Sequence, residues 1–269
     1  MTNSGMVMAD GLHFPPGTDE FIFRDWFPAL SDTILANTIT TITFIVWASV
    51  GIIMGLFLWA YRRPQLVPTR RQWLAESAYG FIRNSVAIDL MGKKYGVRFA
   101  PYLATLFLFI AFTNLFGIIP GIQISANAHI AFPLMLGVAS WLLYNLVGIR
   151  KFGFFRYLKN TCVPPGVPWP VLILLVPIEF FTNLILRPFT LALRLFAAMF
   201  AGHLILLVFI LGGFTMLQAD NFLVQGLSVF SFLMAIAFTF FELFIMLLQA
   251  YIFTLLTALY VQGAISEEH

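Results

Sequence analysis

Apolar residues dominate five long stretches of the chain, and short polar segments separate them. A helix that crosses a membrane needs about 20 mostly apolar residues. The stretches that reach this length are 37–60, 101–121, 130–149, 166–212 and 224–262. The pattern therefore predicts five membrane-embedded helices.

The last two stretches, 166–212 and 224–262, are too long for simple crossings. A straight helix of that length measures about 60 Å, which is twice the thickness of the hydrocarbon layer. We therefore expect both helices to be long and strongly tilted. Because only a short polar-containing turn separates them, we also expect an antiparallel hairpin.

The segment 71–98 has a mixed character, with apolar residues at roughly helical spacing among charged ones. This spacing is typical of an amphipathic helix, which we place on the cytoplasmic surface of the membrane before the second span. A solvated loop helix is the alternative interpretation.

Composition supports the membrane assignment, because 60% of the residues are hydrophobic and only 10% are charged. Such a chain has too little polar surface for a soluble globule. We expect an all-α polytopic membrane protein with a single membrane domain at 37–269. The preceding segment 1–36 is predicted to be external, and no chemistry can be assigned to it.

Charge distribution predicts the orientation. All lysines and arginines except Arg24, Arg187 and Arg194 lie in three polar segments, which follow the first span, precede the second and follow the third. Basic segments stay in the cytoplasm. The N-terminus is therefore predicted outside the membrane, and five crossings place the C-terminus in the cytoplasm.

Polar residues form a stripe along the fourth stretch. On a helix, Asn183, Arg187, Thr190 and Arg194 fall within about 60° of one another. A charged residue at bilayer depth costs about 2.5–3.5 kcal/mol on insertion scales, so it is rarely placed there without a function. His203 falls roughly on the face opposite Arg194.

The fifth stretch carries a second polar stripe, which contains Glu242, Gln249, Tyr260 and Ser231. One interpretation is structural: the buried arginines pair with Glu242 or Glu179 to make burial tolerable. The other is a hydrated ion path, in which a histidine and a glutamate exchange protons while a permanently charged arginine acts as a fixed counter-charge. The second interpretation requires a partner carboxylate.

Several motifs resemble those of subunit a of F-type ATP synthases. They are Arg187-Pro-Phe-Thr-Leu-Ala-Leu-Arg194-Leu-Phe, Met199-Phe-Ala-Gly-His203, Gln249-Ala-Tyr-Ile-Phe-Thr-Leu-Leu, Asn114-Leu-Phe-Gly-Ile-Ile-Pro-Gly and the terminal Ser-Glu-Glu-His. The resemblance runs from about residue 70 to the end, and its motifs are specific.

The resemblance implies a proton-translocating stator subunit in a bacterial inner membrane. In this family the conserved arginine, here Arg194, faces a rotating ring of subunit c hairpins that carry buried carboxylates. Two aqueous half-channels would connect that ring to the two sides of the membrane. The implied partners are the c ring, the subunit b peripheral stalk and the remaining ATP synthase, with protons as the coupling ion.

The resemblance also assigns residues to the ion path. His203 and Glu242 match an interacting acid and histidine of the entry path, in an order that is reversed relative to some members. Gln249 matches a polar neighbour of the arginine, and Asn114 an entry-side asparagine.

The exit side departs from the family pattern at two positions. Glu179 is the candidate exit acid, with Asn183 and Arg187 nearby in sequence, but the family acid aligns one residue later, where this chain has Phe180. Ala198 replaces a common asparagine. The sequence contains no phosphate-binding loop and no zinc, haem or nucleotide motif. We therefore expect no catalytic residue, no metal site, no cofactor and no nucleic-acid partner in this chain.

Two other classes of function remain as alternatives. A self-contained secondary ion transporter would show internal inverted repeats around broken helices, and no such halves are recognisable. A membrane-embedded hydrolase or transferase would need a nucleophile with a base, or a metal cluster, at catalytic spacing, and none is recognisable.

Overall fold

The computed structural model describes residues 6–7, 13–14, 41–62, 64–65, 67–119, 125–163, 169–218 and 221–266. Two short strands, β1 (Met6–Val7) and β2 (His13–Phe14), pair antiparallel. The rest of the predicted external segment 1–36 lies outside the described residues.

Helices make up almost all of the described chain. They are α1 (Thr41–Ala60), α2 (Arg70–Ile82), α3 (Asp89–Leu115), α4 (Ala131–Phe152), α5 (Phe154–Cys162), α6 (Trp169–Phe181), α7 (Arg187–Leu217) and α8 (Phe222–Ile265). The π turns Arg83–Ile88 and Thr182–Leu186 join α2 to α3 and α6 to α7, and the 3-10 turn Ala126–Ala128 precedes α4.

Five helical stretches are long and apolar enough to cross a membrane. They are Thr43–Ala60, Arg70–Leu115, Ala131–Phe152, Val171–Leu217 and Phe222–Ile265. The expectation of an all-α polytopic membrane protein with five membrane helices is confirmed. Since α8 alone has 44 residues, it is about 66 Å long and exceeds the hydrocarbon thickness.

The chain divides into two compact units. Unit 1 comprises Met1–Ala48, Thr113–Ala128 and Ala197–Leu248, and unit 2 comprises Ser49–Phe112, His129–Phe196 and Gln249–His269. The long helices α7 and α8 each contribute a segment to both units.

Unit 1 contains the antiparallel hairpin that the short turn predicts. Later residues of α7 contact earlier residues of α8, as in an antiparallel pair. The ring of Phe209 stacks on Phe238 with centroids 5.0 Å apart, and Phe214 packs edge-on against Phe232 at 5.3 Å. The hydroxyl of Ser231 donates to the carbonyl of Phe209 at 2.7 Å. This bond gives one polar residue of the α8 stripe a structural partner within the hairpin.

Unit 2 has two hydrophobic clusters. The larger joins α2, the π turn after it, α3, α4, α5 and α8 through buried residues that include Ile82, Leu103, Tyr144 and Val261. The smaller packs Leu191 and Leu195 of α7 against Ile110, Ala250 and Phe253. These clusters fix the start of α7 and the end of α8 relative to α3 and α4.

A glycine bend interrupts the long helical stretch 70–115. Gly92 has φ 71° and ψ 170°, which is non-helical and disfavours any residue with a side-chain carbon. After the bend, Gly96 lies directly against the backbone of Ala87. The amphipathic segment expected at 71–98 therefore consists of a helix up to the bend and the first turns of a second helix.

Helix α5 was missed by the sequence analysis, which treated residues after the third span as a basic loop. Gly153, with φ 80°, ends α4 and starts α5. The ring of Tyr157 then packs directly on Gly148 of α4. A nine-residue helix with basic and aromatic residues gives a much weaker apolar pattern than a span.

Candidate functional site

The described polar residues gather in two places, one within each unit. In unit 1, His203 of α7 and Glu242 of α8 face each other, and both are buried, at 6% and 3% exposure. The His203 Nδ1 and Glu242 Oε1 atoms are 3.0 Å apart, without the alignment of a hydrogen bond. This distance is short enough for proton transfer after a small rotation of either side chain.

Two glycines give this pair its space. A side-chain carbon on Gly117 would lie 2.9 Å from Cε1 and Nε2 of His203, and one on Gly202 would lie 3.0 Å from Oε1 of Glu242. Both distances are shorter than ordinary van der Waals contact. The ring and the carboxylate therefore fit only because these two neighbours lack side chains.

A buried amide network lies in the same unit. Asn127 Nδ2 donates to Asn114 Oδ1 and, at 3.2 Å, to Thr113 Oγ1. Asn114 Nδ2 donates to the carbonyl of Met246 at 3.3 Å, one helical turn from Glu242. The Ser125 hydroxyl donates to the carbonyl of Thr113 at 3.4 Å and accepts the Asn127 amide hydrogen at 3.2 Å.

Unsatisfied polar atoms remain in this otherwise paired region. Asn127 Oδ1 and His203 Nε2 are buried and have no hydrogen-bond partner among the described residues. Buried polar atoms are normally paired with protein or with water. Water molecules beside these atoms would satisfy both of them.

In unit 2, a polar cavity of about 210 Å³ contains three of the predicted residues. The lining residues that carry its polarity or mark its position are Glu179, Asn183, Arg187, Tyr260, Thr161 and Ser266. Asn183 Nδ2 donates to Glu179 Oε2 at 3.3 Å and to the carbonyl of Thr161 at 3.5 Å. The cavity has room for several waters between a carboxylate, an amide and a guanidinium.

The π turn Thr182–Leu186 sets the positions of these cavity residues. The π-helical hydrogen bond is seen at Arg187, whose backbone N–H donates to the carbonyl of Thr182, five residues earlier. The Asn183 carbonyl accepts hydrogen bonds from two α4 side chains, Trp141 Nε1 at 3.1 Å and the Tyr144 hydroxyl at 3.3 Å.

The two arginines of the predicted stripe have different surroundings. Arg187 is half-buried, and its guanidinium lies 5.2 Å from the ring centre of Tyr260. Arg194 is exposed, and within unit 2 it forms no hydrogen bond or ion pair with any described residue. Thr190, also exposed, hydrogen-bonds the carbonyl of Leu186 at 2.7 Å. The neutralising pair of Arg187 or Arg194 with Glu179 does not occur in unit 2 as described.

Gln249 lies at the edge of the cluster that anchors Arg194. It is buried, directly before Ala250, and its Nε2 has no hydrogen-bond partner among the described residues. Leu195 belongs to the same cluster, whereas Arg194 points outward. Gln249 thus retains an unused donor, and no hydrogen bond from it is formed within unit 2 as described.

The sequence analysis missed the residues that hold the candidate site together. Asn127, Trp141 and Tyr144 received no role, although Asn127 is polar and follows an apolar span. Only the fold shows that their partners are Asn114 and a main-chain carbonyl. In the described part of the chain, no group of three or more His, Cys, Asp or Glu residues could hold a metal ion.

Comparison with known proteins was made for the whole chain. The family model described as ATP synthase A chain matches residues 43–262. The chain belongs to this family. The match includes Arg194, the His203 and Glu242 pair, and the cavity residues Glu179, Asn183 and Arg187.

Individual ATP synthase A chains show the same relationship. Proteins named ATP synthase subunit a are 40% identical in Nocardioides sp. over 95% of this chain and 94% of theirs, and 45% identical in Rhodococcus erythropolis over 81% and 80%. The Parafrankia sp. protein of that name is 44% identical over 99% of this chain and 89% of its own length.

In this ATP synthase A chain, the candidate residues lie in three places. His203, Glu242 and Asn114 share unit 1, and Glu179, Asn183 and Arg187 share the cavity of unit 2. Arg194 is exposed and has no partner within its unit as described.

Proposed function

We propose that this chain is the proton-translocating stator subunit of the ATP synthase membrane sector. It provides two aqueous half-channels and presents Arg194 to the carboxylates of a rotating subunit c ring. The observation that carries this proposal is an exposed, permanently charged side chain on an apolar helix, accompanied by two polar sites. The subunit b stalk and the rest of the ATP synthase are the other partners, and the membrane is the bacterial inner membrane.

The unit 1 site is the entry half-channel in this proposal. Asn114 lies at the end of α3 and Asn127 in the α3–α4 connection, which the charge pattern places on the outer side. A proton from outside would pass along the amides and water to His203 and Glu242. An imidazole and a carboxyl group can each accept and release a proton, as a relay requires.

The unit 2 cavity is the exit half-channel. Phe152 at the end of α4 and Ser266 after α8 line it, and the charge pattern places both ends in the cytoplasm. Glu179 would accept the proton released from the ring. Asn183 donates a hydrogen bond to its carboxylate, and Arg187 lines the same cavity.

Arg194 separates the two paths. An arginine stays charged at any accessible pH, so it stabilises an ionised ring carboxylate and cannot itself carry the proton. A protonated carboxylate that returns from the membrane must therefore lose its proton to the exit side before it passes. Each charge that crosses is worth about 2.3 kcal/mol per 100 mV, and the rotation of the ring transmits that energy to the ATP-forming subunits.

The decisive experiment is Arg194→Ala in the assembled complex, reconstituted into vesicles. ATP-driven proton pumping and passive proton leak would be compared with wild type, Arg194→Lys and the control Arg98→Ala, which removes an exposed arginine outside both polar sites. We expect loss of pumping with normal assembly for Arg194→Ala alone. Normal pumping by Arg194→Ala contradicts the proposal.

The alternative of a self-contained secondary transporter makes a different prediction. The isolated chain, reconstituted without a ring, would then conduct ions across the vesicle membrane. The stator function predicts no conduction above that of empty vesicles, because neither half-channel crosses the membrane without the ring.

A further inference from the structure

We infer that Trp141 and Tyr144 of α4 are positioning residues for the exit cavity: together they hold the π turn Thr182–Leu186 in the register that orients Glu179 and its partner Asn183 relative to Arg187. This inference rests on the proposed function, since it assigns a device to the same exit path. Neither residue is assumed to touch the proton.

Both side chains donate to one main-chain atom. Trp141 Nε1 lies 3.1 Å and the Tyr144 hydroxyl 3.3 Å from the carbonyl oxygen of Asn183. The two donors lie three residues apart on α4, hence on the same helix face. A carbonyl has two acceptor lone pairs, so this pair of donors satisfies it completely.

Helix α4 comes unusually close to the chain that follows the π turn. A side-chain carbon on the buried Gly137 would lie 2.7 Å from the carbonyl oxygen of Pro188 and 3.5 Å from Cβ of Ala192. The absence of a side chain at position 137 therefore brings α4 within reach of the turn. This close approach, one helical turn before Trp141, allows its short donor distance.

The register of the turn determines which side chains enter the cavity. A π turn bonds residues five apart, one more than an α-helix, and loss of that extra residue would rotate the preceding segment by about 100° relative to α7. Glu179 lies in α6 before the turn, Asn183 lies within its first residues, and Arg187 follows it at the start of α7. The π turn thus sets the angle between the exit carboxylate and the exit guanidinium.

Tyr144 links the turn to the other side of the cavity as well. Its ring packs against that of Tyr260 with centroids 5.6 Å apart, and Tyr260 is the aromatic partner of Arg187. Removing only the hydroxyl of Tyr144 leaves this ring contact in place. The hydrogen bond and the packing can therefore be tested separately.

The test uses Trp141→Phe, Tyr144→Phe and the double variant in the assembled membrane sector. Passive proton conduction is measured in vesicles with the pH of each side set independently. The charged or titratable groups that line the cavity are Glu179 of α6, Arg187 of α7, Tyr157 of α5 and Tyr260 of α8. Tyr144 of α4 does not line it but lies near Arg187, Tyr157 and Tyr260. Of these, only the position of Glu179 depends on the π turn through its bond with Asn183.

Each single variant retains one donor, so we expect a loss of about twofold and a small displacement of the dependence on cytoplasmic pH. The double variant leaves the carbonyl unpaired. We expect its conduction to fall by about tenfold, more than the product of the single effects. Its dependence on cytoplasmic pH should be displaced further, and its dependence on outer pH should match wild type.

Tyr251→Phe is the matched control, because it removes a phenol hydroxyl from the same unit and its ring packs on Phe81, away from the cavity. It should conduct like wild type. Wild-type conduction by the double variant overturns the inference, and so does an equal displacement of both pH dependences. If the double variant fails to assemble, Tyr144→Phe decides: an unchanged dependence on cytoplasmic pH overturns the inference.

Arg194→Ala in the same vesicles separates this inference from the proposed function. Pumping by Arg194→Ala defeats the stator function and the inference with it. Loss of pumping in Arg194→Ala, together with wild-type behaviour of the Trp141/Tyr144 double variant, defeats the inference alone.

Discussion

At the scale of single residues, the two arginines of α7 show how surroundings differentiate one side-chain type. The Arg187 guanidinium lies over an aromatic ring inside a cavity, whereas Arg194 is exposed. At position 187, the interaction with the ring requires only a positive charge, and a lysine ammonium also supplies one. In the proposed function, the side chain at position 194 must stay charged when it is desolvated, and only arginine does so.

Lysine substitutions should therefore have unequal effects. We expect Arg187→Lys to retain ATP-driven pumping within about twofold, because the ammonium still interacts with Tyr260. Arg194→Lys should lose about tenfold or more, because a desolvated lysine can release its proton. Parallel assays of pumping in vesicles check this, and equal losses would contradict the distinction.

The space around His203 makes a second prediction. Gly117→Ala places a methyl group 2.9 Å from the ring, so the ring must move away from Glu242. We expect proton conduction to fall several-fold with assembly intact. Gly226→Ala is the control, since a side-chain carbon there meets nothing within 4 Å in the same unit. Normal conduction by Gly117→Ala would show that the present distance between ring and carboxylate is unimportant.

At the scale of secondary-structure elements, breaks in the helices matter as much as the helices. The Gly92 bend separates an amphipathic helix from a spanning one, and the π turn Thr182–Leu186 orients the exit cavity. Both breaks lie within stretches that the number of consecutive apolar residues would predict as continuous helices.

The Gly92 bend should be sensitive to any side chain. A left-handed φ costs a residue with a side-chain carbon about 1–2 kcal/mol, so Gly92→Ala should lower the melting temperature of the purified complex by a few degrees. Gly80→Ala, in the interior of α2 with nothing within 4 Å, should be neutral or slightly stabilising. The melting temperatures of the two variants are measured under the same conditions. A lower melting temperature for Gly80→Ala than for Gly92→Ala would contradict the role of the bend.

Sequence periodicity predicted the class of element well and local register poorly. The five membrane helices follow from apolar length alone, since a bilayer selects strongly for that property. The polar stripe assumed a constant 100° per residue, but the π turn lies between Asn183 and Arg187. Pro188, just after the turn, is a local sign of a helix irregularity, because it lacks a backbone N–H. The hydrogen bonds from α4, about 40 residues earlier in the chain, that hold the Asn183 carbonyl have no local signal.

The candidate site was predictable to a similar degree. His203 and Glu242 were expected in the same path and do face each other, whereas their roles remain predictions. Gln249 was expected near Arg194, which stays a prediction, and its Nε2 has no hydrogen-bond partner among the described residues. Long-range partners such as Asn127 and Tyr144 depend on tertiary packing, which periodicity within a single helix does not encode.

At the scale of the whole molecule, the orientation in the membrane is open to a direct test. With Cys162 replaced by serine, Val67→Cys and Asn221→Cys each place one thiol in a connection between helices, at exposed positions. A membrane-impermeant maleimide should label position 67 only from the cytoplasm and position 221 only from outside. The opposite labelling would invert the assigned orientation and exchange the entry and exit sides.

The exposure of Arg194 also bears on how the subunit is made. A newly inserted chain that has not met its ring would turn this guanidinium toward acyl chains, at a cost of about 2.5–3.5 kcal/mol on insertion scales. An orphan subunit is thereby less stable in the bilayer than an assembled one, and membrane proteases act on the less stable form. Under the proposed function, the charge that faces the ring would also favour removal of copies that remain unassembled.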